Sequence, residues 1–171
     1  LKTSNKEVKI FYEPAELANT EKIYKLIKQV RKEFSSIDIL INCAAINYAK
    51  PHNEINIDEW EKVFKVNMSS IFMICNAVLP SMKKNKYGKI VNVSSIAGRN
   101  KSIVSGVHYT ASKAAIIGLT RQLAHEIGPL GININCVCPS QTETDMLKKS
   151  MTAKEKKQLA QNIPLRRLAS I

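Results

Sequence analysis

Glycine, cysteine, histidine and arginine are all scarce in this chain of 171 residues. Its six glycines nowhere form a G-x-x-x-G-x-G run, so the stretch holds no glycine turn of the kind that brings a pyrophosphate against a helix N-terminus. Cys43, Cys75, Cys136 and Cys138 make no C-x-x-C pair, and His52, His108 and His125 stand far from them in sequence, which excludes zinc-like ligand spacing. Reduced thiols and no metal are expected, with Cys136 and Cys138 on one side of a strand. No uninterrupted apolar run approaches the length of a membrane span and no secretory signal is visible, so neither a membrane protein nor a secreted one is expected. The chain opens on Leu1 rather than Met, so a start upstream is expected, and organellar targeting stays open beside a cytoplasmic setting. Without internal repeats, low-complexity tracts or linkers, residues 1–171 read as a single domain.

Charge is abundant but one-sided. The formal net charge is +12, and only five of the 26 basic residues are arginine. Base readout leans on forked guanidinium donors, so the lysine excess points to a solvated face or an acidic partner rather than nucleic acid. Lys22, Lys25, Lys28 and Lys32 recur opposite Ile23, Leu26, Ile27 and Val30, as on the open side of an amphipathic helix.

Along the chain, short aliphatic runs alternate with helical periods, the pattern of a parallel sheet with crossover helices. "VKIFY" (8–12) predicts a strand, 20–34 a helix and "IDILIN" (37–42) a buried strand. Asn56 is placed to cap a long helix running toward Met82, with Glu59 three residues on as its reciprocal partner. "GKIVNVSS" (88–95) predicts a further strand, followed by a loop and a helix carrying Tyr109 and Lys113. "GININCVCP" (131–139) is a last strand, halted by proline. In such open sheets ligands bind beyond the carboxyl ends of the strands, so Asn42, the Ser94–Ser95 pair and Pro139 are expected to converge on one crevice.

Within "YTASKAAIIG", Tyr109 and Lys113 are four apart and share a helix face. An ammonium near a phenol stabilises the phenolate and is expected to lower its pKa, making Tyr109 a usable general acid or base. Ser95 can hold a substrate oxygen against that phenol, and Asn67 can bind a water linking Lys113 to solvent. The spacing alone is weak, because "YKLIK" sets Tyr24 four before Lys28 in an ordinary amphipathic stretch. No strand-end serine precedes that second pair.

"DILINCAA", "VNMSSIF", "GKIVNVSSIAG", "YTASKAAIIGLT", "LAHEIGPLGININCVCP" and "TETDM" together resemble a classical short-chain dehydrogenase/reductase, most of all its 3-oxoacyl-acyl-carrier-protein reductase branch. The resemblance implies a Rossmann-like doubly wound parallel sheet in three α/β/α layers. It implies Ser95, Tyr109 and Lys113 as catalytic residues with Asn67 as a fourth, and NADP or NAD as cofactor, NADPH being favoured. Asn42, Cys43, Ala44, Pro139, Thr142 and Thr144 would line that cofactor, Lys113 would bind its ribose, and Glu16 and Leu17 would flank the adenine. It further implies a 3-oxoacyl thioester carried by acyl carrier protein as substrate, and a homotetramer built on helices 57–82 and 108–127. Those helices are expected to present Phe64, Met68, Phe72, Ile116, Leu119 and Leu123. An enzyme of sugars, polyols or other small alcohols and ketones shares all these residues, and a non-catalytic binding protein of the same fold is a third alternative.

Three departures qualify the resemblance. Ala45 and Ser140 stand where the family has glycine, each adding a Cβ near the cofactor. Glu16 stands where aspartate is usual. The family's glycine turn and last strand have no counterpart, so the chain reads as a partial view lacking the first βαβ unit rather than a natural truncation. Lys83, Lys84, Lys86 and Lys89, with Arg166 and Arg167, are expected to lie beside the crevice and steer an acidic carrier.

Overall fold

The computed structural model describes residues 9–145, 147 and 151–170. In chain order these include helix α1 (Thr20–Glu33), strand β1 (Ile39–Asn42), helix α2 (Ile57–Phe64), a π-helical turn (Lys65–Ser69) and helix α3 (Ser70–Asn85). Strand β2 (Gly88–Val93), helix α4 (Val107–Ile127), strand β3 (Ile132–Val137) and helix α5 (Ala153–Gln161) follow. The strands are all parallel in the order β1-β2-β3, with Leu40 opposite Ile90 and Ile90 opposite Ile134. A helix separates each strand from the next, as parallel pairing requires.

This register gives the sheet two unlike faces. Leu40, Ile90, Ile132 and Ile134 point into one apolar core with Ile27 of α1, Val78 and Met82 of α3, and Ile116 of α4. The side chains of Ile90 and Ile116 are fully enclosed, each worth about 2–3 kcal/mol of burial. The opposite face carries Ile39 and Ile41, 61% and 63% exposed, and Val137. Among the described residues the helices thus cover one face, giving two of the three expected layers of the Rossmann-like α/β fold.

Helix starts follow their caps. Asn19 accepts from Lys22 N, and Asn56 accepts from Glu59 N at 2.9 Å, while the Glu59 carboxylate reaches Lys50 at 2.5 Å. Ile57–Asn85 runs on as one helix of 29 residues, long and apolar enough to cross a membrane by length and composition, against the expectation that nothing here reaches that size. Val63, Val66, Ile71, Cys75 and Val78 are buried in the core, however, and Asp58, Glu61, Lys62 and Lys65 face outward. The stretch is a core helix with a charged outer side.

Two other expectations change. Residues 9–12 of "VKIFY" form no strand, Val8 lying outside the described residues; Ile10 and Tyr12 are 84% and 83% exposed, and no strand among the described residues pairs with them. Of the six side chains expected to stand free for helix pairing, Ile116 and Leu123 belong to the core, Leu119 packs against it and Phe64 stacks on Trp60. Phe72 remains exposed and Met68 half-buried.

Candidate active site

Because the strands are parallel, their carboxyl ends lie side by side. Ser94 N donates to Val137 O at 2.8 Å and Ile96 N to Pro139 O at 2.9 Å, so the segments after β2 and β3 stay laced together beyond the sheet. Around them opens a cleft of about 260 Å³, to which α4 contributes Tyr109 and Lys113. Ser95, Cys43, Pro139, Thr142 and Thr144 line the same cleft, so seven of the residues singled out from sequence meet here. Asn42, Ala44 and Leu17 border an adjoining apolar groove that shares Cys43. Glu16 lies in a third depression, where Lys22 at 2.6 Å holds its carboxyl below the usual carboxylate range.

Lys113 is 2% exposed. Its ammonium donates to Val93 O at 2.7 Å and lies 5.5 Å from the centre of the Tyr109 ring. Burial pushes this amine below its ordinary value, opposed by the nearby thiols of Cys43, Cys136 and Cys138. Burial also raises the Tyr109 phenol, and a hydrogen bond with the Ser95 side chain pulls the other way. The expected lowering of the phenol by Lys113 is therefore not what this geometry gives. Desolvation outweighs attraction, and the group acting directly on the phenol is Ser95. Ser95 Oγ also accepts from Ala97 N at 3.1 Å, which fixes the hydroxyl at the start of a short 3-10 turn.

Asn67 is fully buried and sits within the π turn, beneath the cleft rather than lining it. Its Oδ1 accepts from Ile46 N at 2.8 Å, and its Nδ2 donates to Ile46 O at 2.9 Å and to Ser112 Oγ at 3.1 Å. The amide is thus engaged by protein groups and both its hydrogens are used, so binding a water for Lys113 is not what the side chain does here. It clamps the loop after β1 to α4. Asn42 is likewise structural: its Nδ2 donates to Asn92 Oδ1 at 2.8 Å, and Asn92 Nδ2 continues to Thr120 Oγ1 at 3.0 Å.

Several positions carry the site without having been read from sequence. Ser112 Oγ donates to Tyr109 O at 2.8 Å while accepting from Asn67, which ties the π turn to the tyrosine's own backbone. Ser94, already expected at the crevice from sequence, donates from its Oγ–H to Lys113 O at 2.7 Å. Gly98 is there because a Cβ would lie 2.6 Å from the Lys113 backbone carbon, so only glycine lets the 3-10 turn approach α4 this closely. The spacing of Ser112, three residues after Tyr109 on the same helix, was the one available signal. Ala45 and Ser140 cost no backbone strain, since the non-glycine residues with positive φ among those described are Lys86 and Arg166.

The lysine cluster does not border this cleft. Lys83 and Lys84 end α3 and Lys86 leads into the amino end of β2, whereas Ser95 follows its carboxyl end. At ~3.3 Å per residue the strand separates Lys89 from Ser95 by about 20 Å, roughly two Debye lengths at 0.1 M salt. Lys89 is also turned to Asn133 Oδ1. Arg166 and Arg167 are nearer, since Ala169 bridges Thr142 at the cleft edge.

Residues 1–155 match the short chain dehydrogenase family. The chain is 36% identical over 132 residues to a 3-oxoacyl-[acyl-carrier-protein] reductase of Vibrio cholerae, covering 77% of this chain and 54% of that protein. It is 29% identical over 142 residues to a D-beta-hydroxybutyrate dehydrogenase of Rhizobium meliloti, covering 83% and 55%. The chain thus spans little more than half the length of these relatives. The structure of ElxO with NADP bound superposes with a TM-score of 0.81 at 28% identity, over 91% of this chain and 63% of the other. Parallel βαβ order, the strand-end cleft and this match over most of the sequence together place the chain in the short chain dehydrogenase family.

Proposed function

We propose that this chain forms the catalytic part of an NAD(P)-dependent reductase in which Tyr109 delivers a proton to a carbonyl oxygen. The observation that carries this reading is the convergence of Ser95 and Tyr109 on one cleft, with the Lys113 ammonium 5.5 Å from the centre of the phenol ring, at the carboxyl edge of a parallel sheet. Ser95 and the phenol converge on one small volume of the cleft, where a carbonyl oxygen accepts from both. With its pKa raised, the phenol keeps its proton until an acceptor develops negative charge. Lys113, held by Val93 O, keeps positive charge against the ring and stabilises the phenolate left behind.

A nicotinamide dinucleotide fits the remaining donor set. Thr142 and Thr144 hydroxyls, the Lys113 ammonium and the apolar walls of Cys43 and Pro139 border the same cleft. When bound, the cofactor supplies the hydride that the carbonyl carbon receives. Lys113 would hold the ribose, and Asn42, Ala44 and Leu17 would shape the wall of the adjoining groove, with Glu16 toward the adenine. NADPH is the form we favour, as the relative bound to NADP suggests.

For substrate we favour a 3-oxoacyl thioester on acyl carrier protein, on the strength of the Vibrio cholerae relative. A small hydroxy acid or ketone is the second reading; it is favoured by the distance of the lysine cluster from the cleft and by the Rhizobium meliloti relative. Turnover of an acetoacetyl thioester by the intact protein, set against 3-hydroxybutyrate and a panel of sugars and polyols, separates them. Thioester reduction at least tenfold above the panel supports the first; its absence removes it. Free cysteines at all four positions suit a cytoplasmic setting. Assembly is expected to be tetrameric through the outer side of α2–α3 and α4 around exposed Phe72, and a monomer by light scattering would contradict this.

A further inference from the structure

Helix α4 begins without a side-chain cap. Its N-cap is Gly106, so the first-turn N–H groups need other partners. The N–H of Tyr109 finds one in Nδ1 of His108, at 2.9 Å. That imidazole is fully buried, tilted against Tyr48 with ring centres 5.8 Å apart. A Cβ on Gly106 would fall 2.5 Å from its Cε1, so the ring fills the space in which an N-cap side chain would sit.

We propose that His108 is a positioning residue for Tyr109: its unprotonated Nδ1 replaces the missing cap, sets the first turn of α4 and so aligns the phenol with Ser95. The proposal rests on the reductase reading of the cleft. Two backbone groups compete for Nδ1. The Tyr109 N–H binds the bare nitrogen, and the Gly106 carbonyl, which already accepts from Thr110 N at 3.2 Å, favours a protonated ring. Accepting from Tyr109 places the neutral ring's proton on Nε2, a buried atom without a hydrogen-bond partner, as is Oε2 of Glu59 on the adjoining helix α2. The charged groups acting on the ring are this Glu59 and, from the loop after β1, Lys50, itself paired with Glu59. Burial pushes the imidazole below its ordinary value; the Gly106 carbonyl and Glu59 raise it, and Lys50 lowers it. Near neutral pH the ring is therefore uncharged and the cap is in place. As pH falls through this lowered value, Nδ1 takes a proton, the bond from Tyr109 N breaks and alignment is lost.

The test uses the intact protein with two substitutions and one spectroscopic measurement. His108→Phe keeps a ring but offers no acceptor, and should lower kcat about tenfold while leaving KM for the cofactor unchanged. His108→Asn places an amide oxygen where Nδ1 stood. It should return kcat to within about threefold of the parent, and its profile should lack the decline on the acid side. Nitrogen-15 NMR of the imidazole should show the proton on Nε2 at neutral pH. Parental kcat in His108→Phe, an acid limb surviving in His108→Asn, or a proton on Nδ1 would each overturn the proposal. An Nε2 proton in a protein that reduces no carbonyl compound would refute the reductase reading while upholding the cap.

Discussion

Asn67→Ala isolates the clamp between the loop after β1 and helix α4. The substitution removes three hydrogen bonds at a fully buried site and leaves both backbone groups of Ile46 without their partners. Each such loss costs about 1–3 kcal/mol, but Ile46 is only half-buried and water recovers part of it, so about 2–4 kcal/mol is expected overall. For a domain of this size that corresponds to a fall in Tm of roughly 5–15 °C. Ser112→Ala removes one of the three bonds together with its own bond to Tyr109 O, and should cost about 1–2 kcal/mol, a fall of roughly 2–8 °C. Differential scanning calorimetry of the two variants beside the parent reads both values. An Asn67→Ala protein melting within about 1 °C of the parent, or melting above Ser112→Ala, would refute the clamp.

Gly98→Ala should lower Tm and activity together, because the new Cβ meets the Lys113 backbone at 2.6 Å and pushes the turn carrying Ser95 away from α4; calorimetry and initial rates on one preparation check this. Lys113→Ala should abolish turnover and weaken cofactor binding at least tenfold, which fluorescence titration of the reduced cofactor would measure. The pH dependence has a definite sign. The protonated phenol is the donor in reduction and burial raises it above its ordinary 10.0, so reductive kcat should hold through neutral pH and fall only above that value. A decline centred near pH 8 would mean that Lys113, not burial, governs the phenol.

Periodicity and composition made most of this fold legible. The aliphatic runs at 39–42, 88–93 and 132–137 are strands because each has neighbours to bond and a helical layer to bury its inner residues. Residues 9–12 have a similar composition and form no strand among the described residues, since pairing requires a neighbour that composition does not reveal. Ser95, Tyr109 and Lys113 converge as their elements implied. The lysine cluster is near the active-site strand in sequence yet far from its carboxyl end, because residues preceding a parallel strand lie at the opposite edge of the sheet. The sequence offers Asn67 as a water-binding amide, whereas the partners that claim it, Ile46 and Ser112, lie 21 and 45 residues away, beyond what local pattern shows. The phenol's direction of shift is hidden in the sequence for a related reason: proximity of Lys113 follows from spacing, but the depth of burial comes only with packing.

Tyr109→Phe, assayed in the intact protein for carbonyl reduction and for binding of the reduced cofactor, tests the central claim most directly. Removing one hydroxyl takes away the proton donor and leaves Lys113, Ser95 and the cleft walls in place. The account predicts kcat lower by about 10² to 10⁴ with the cofactor Kd changed less than about threefold. A Tyr109→Phe protein that reduces the same substrate at the parental rate would contradict it.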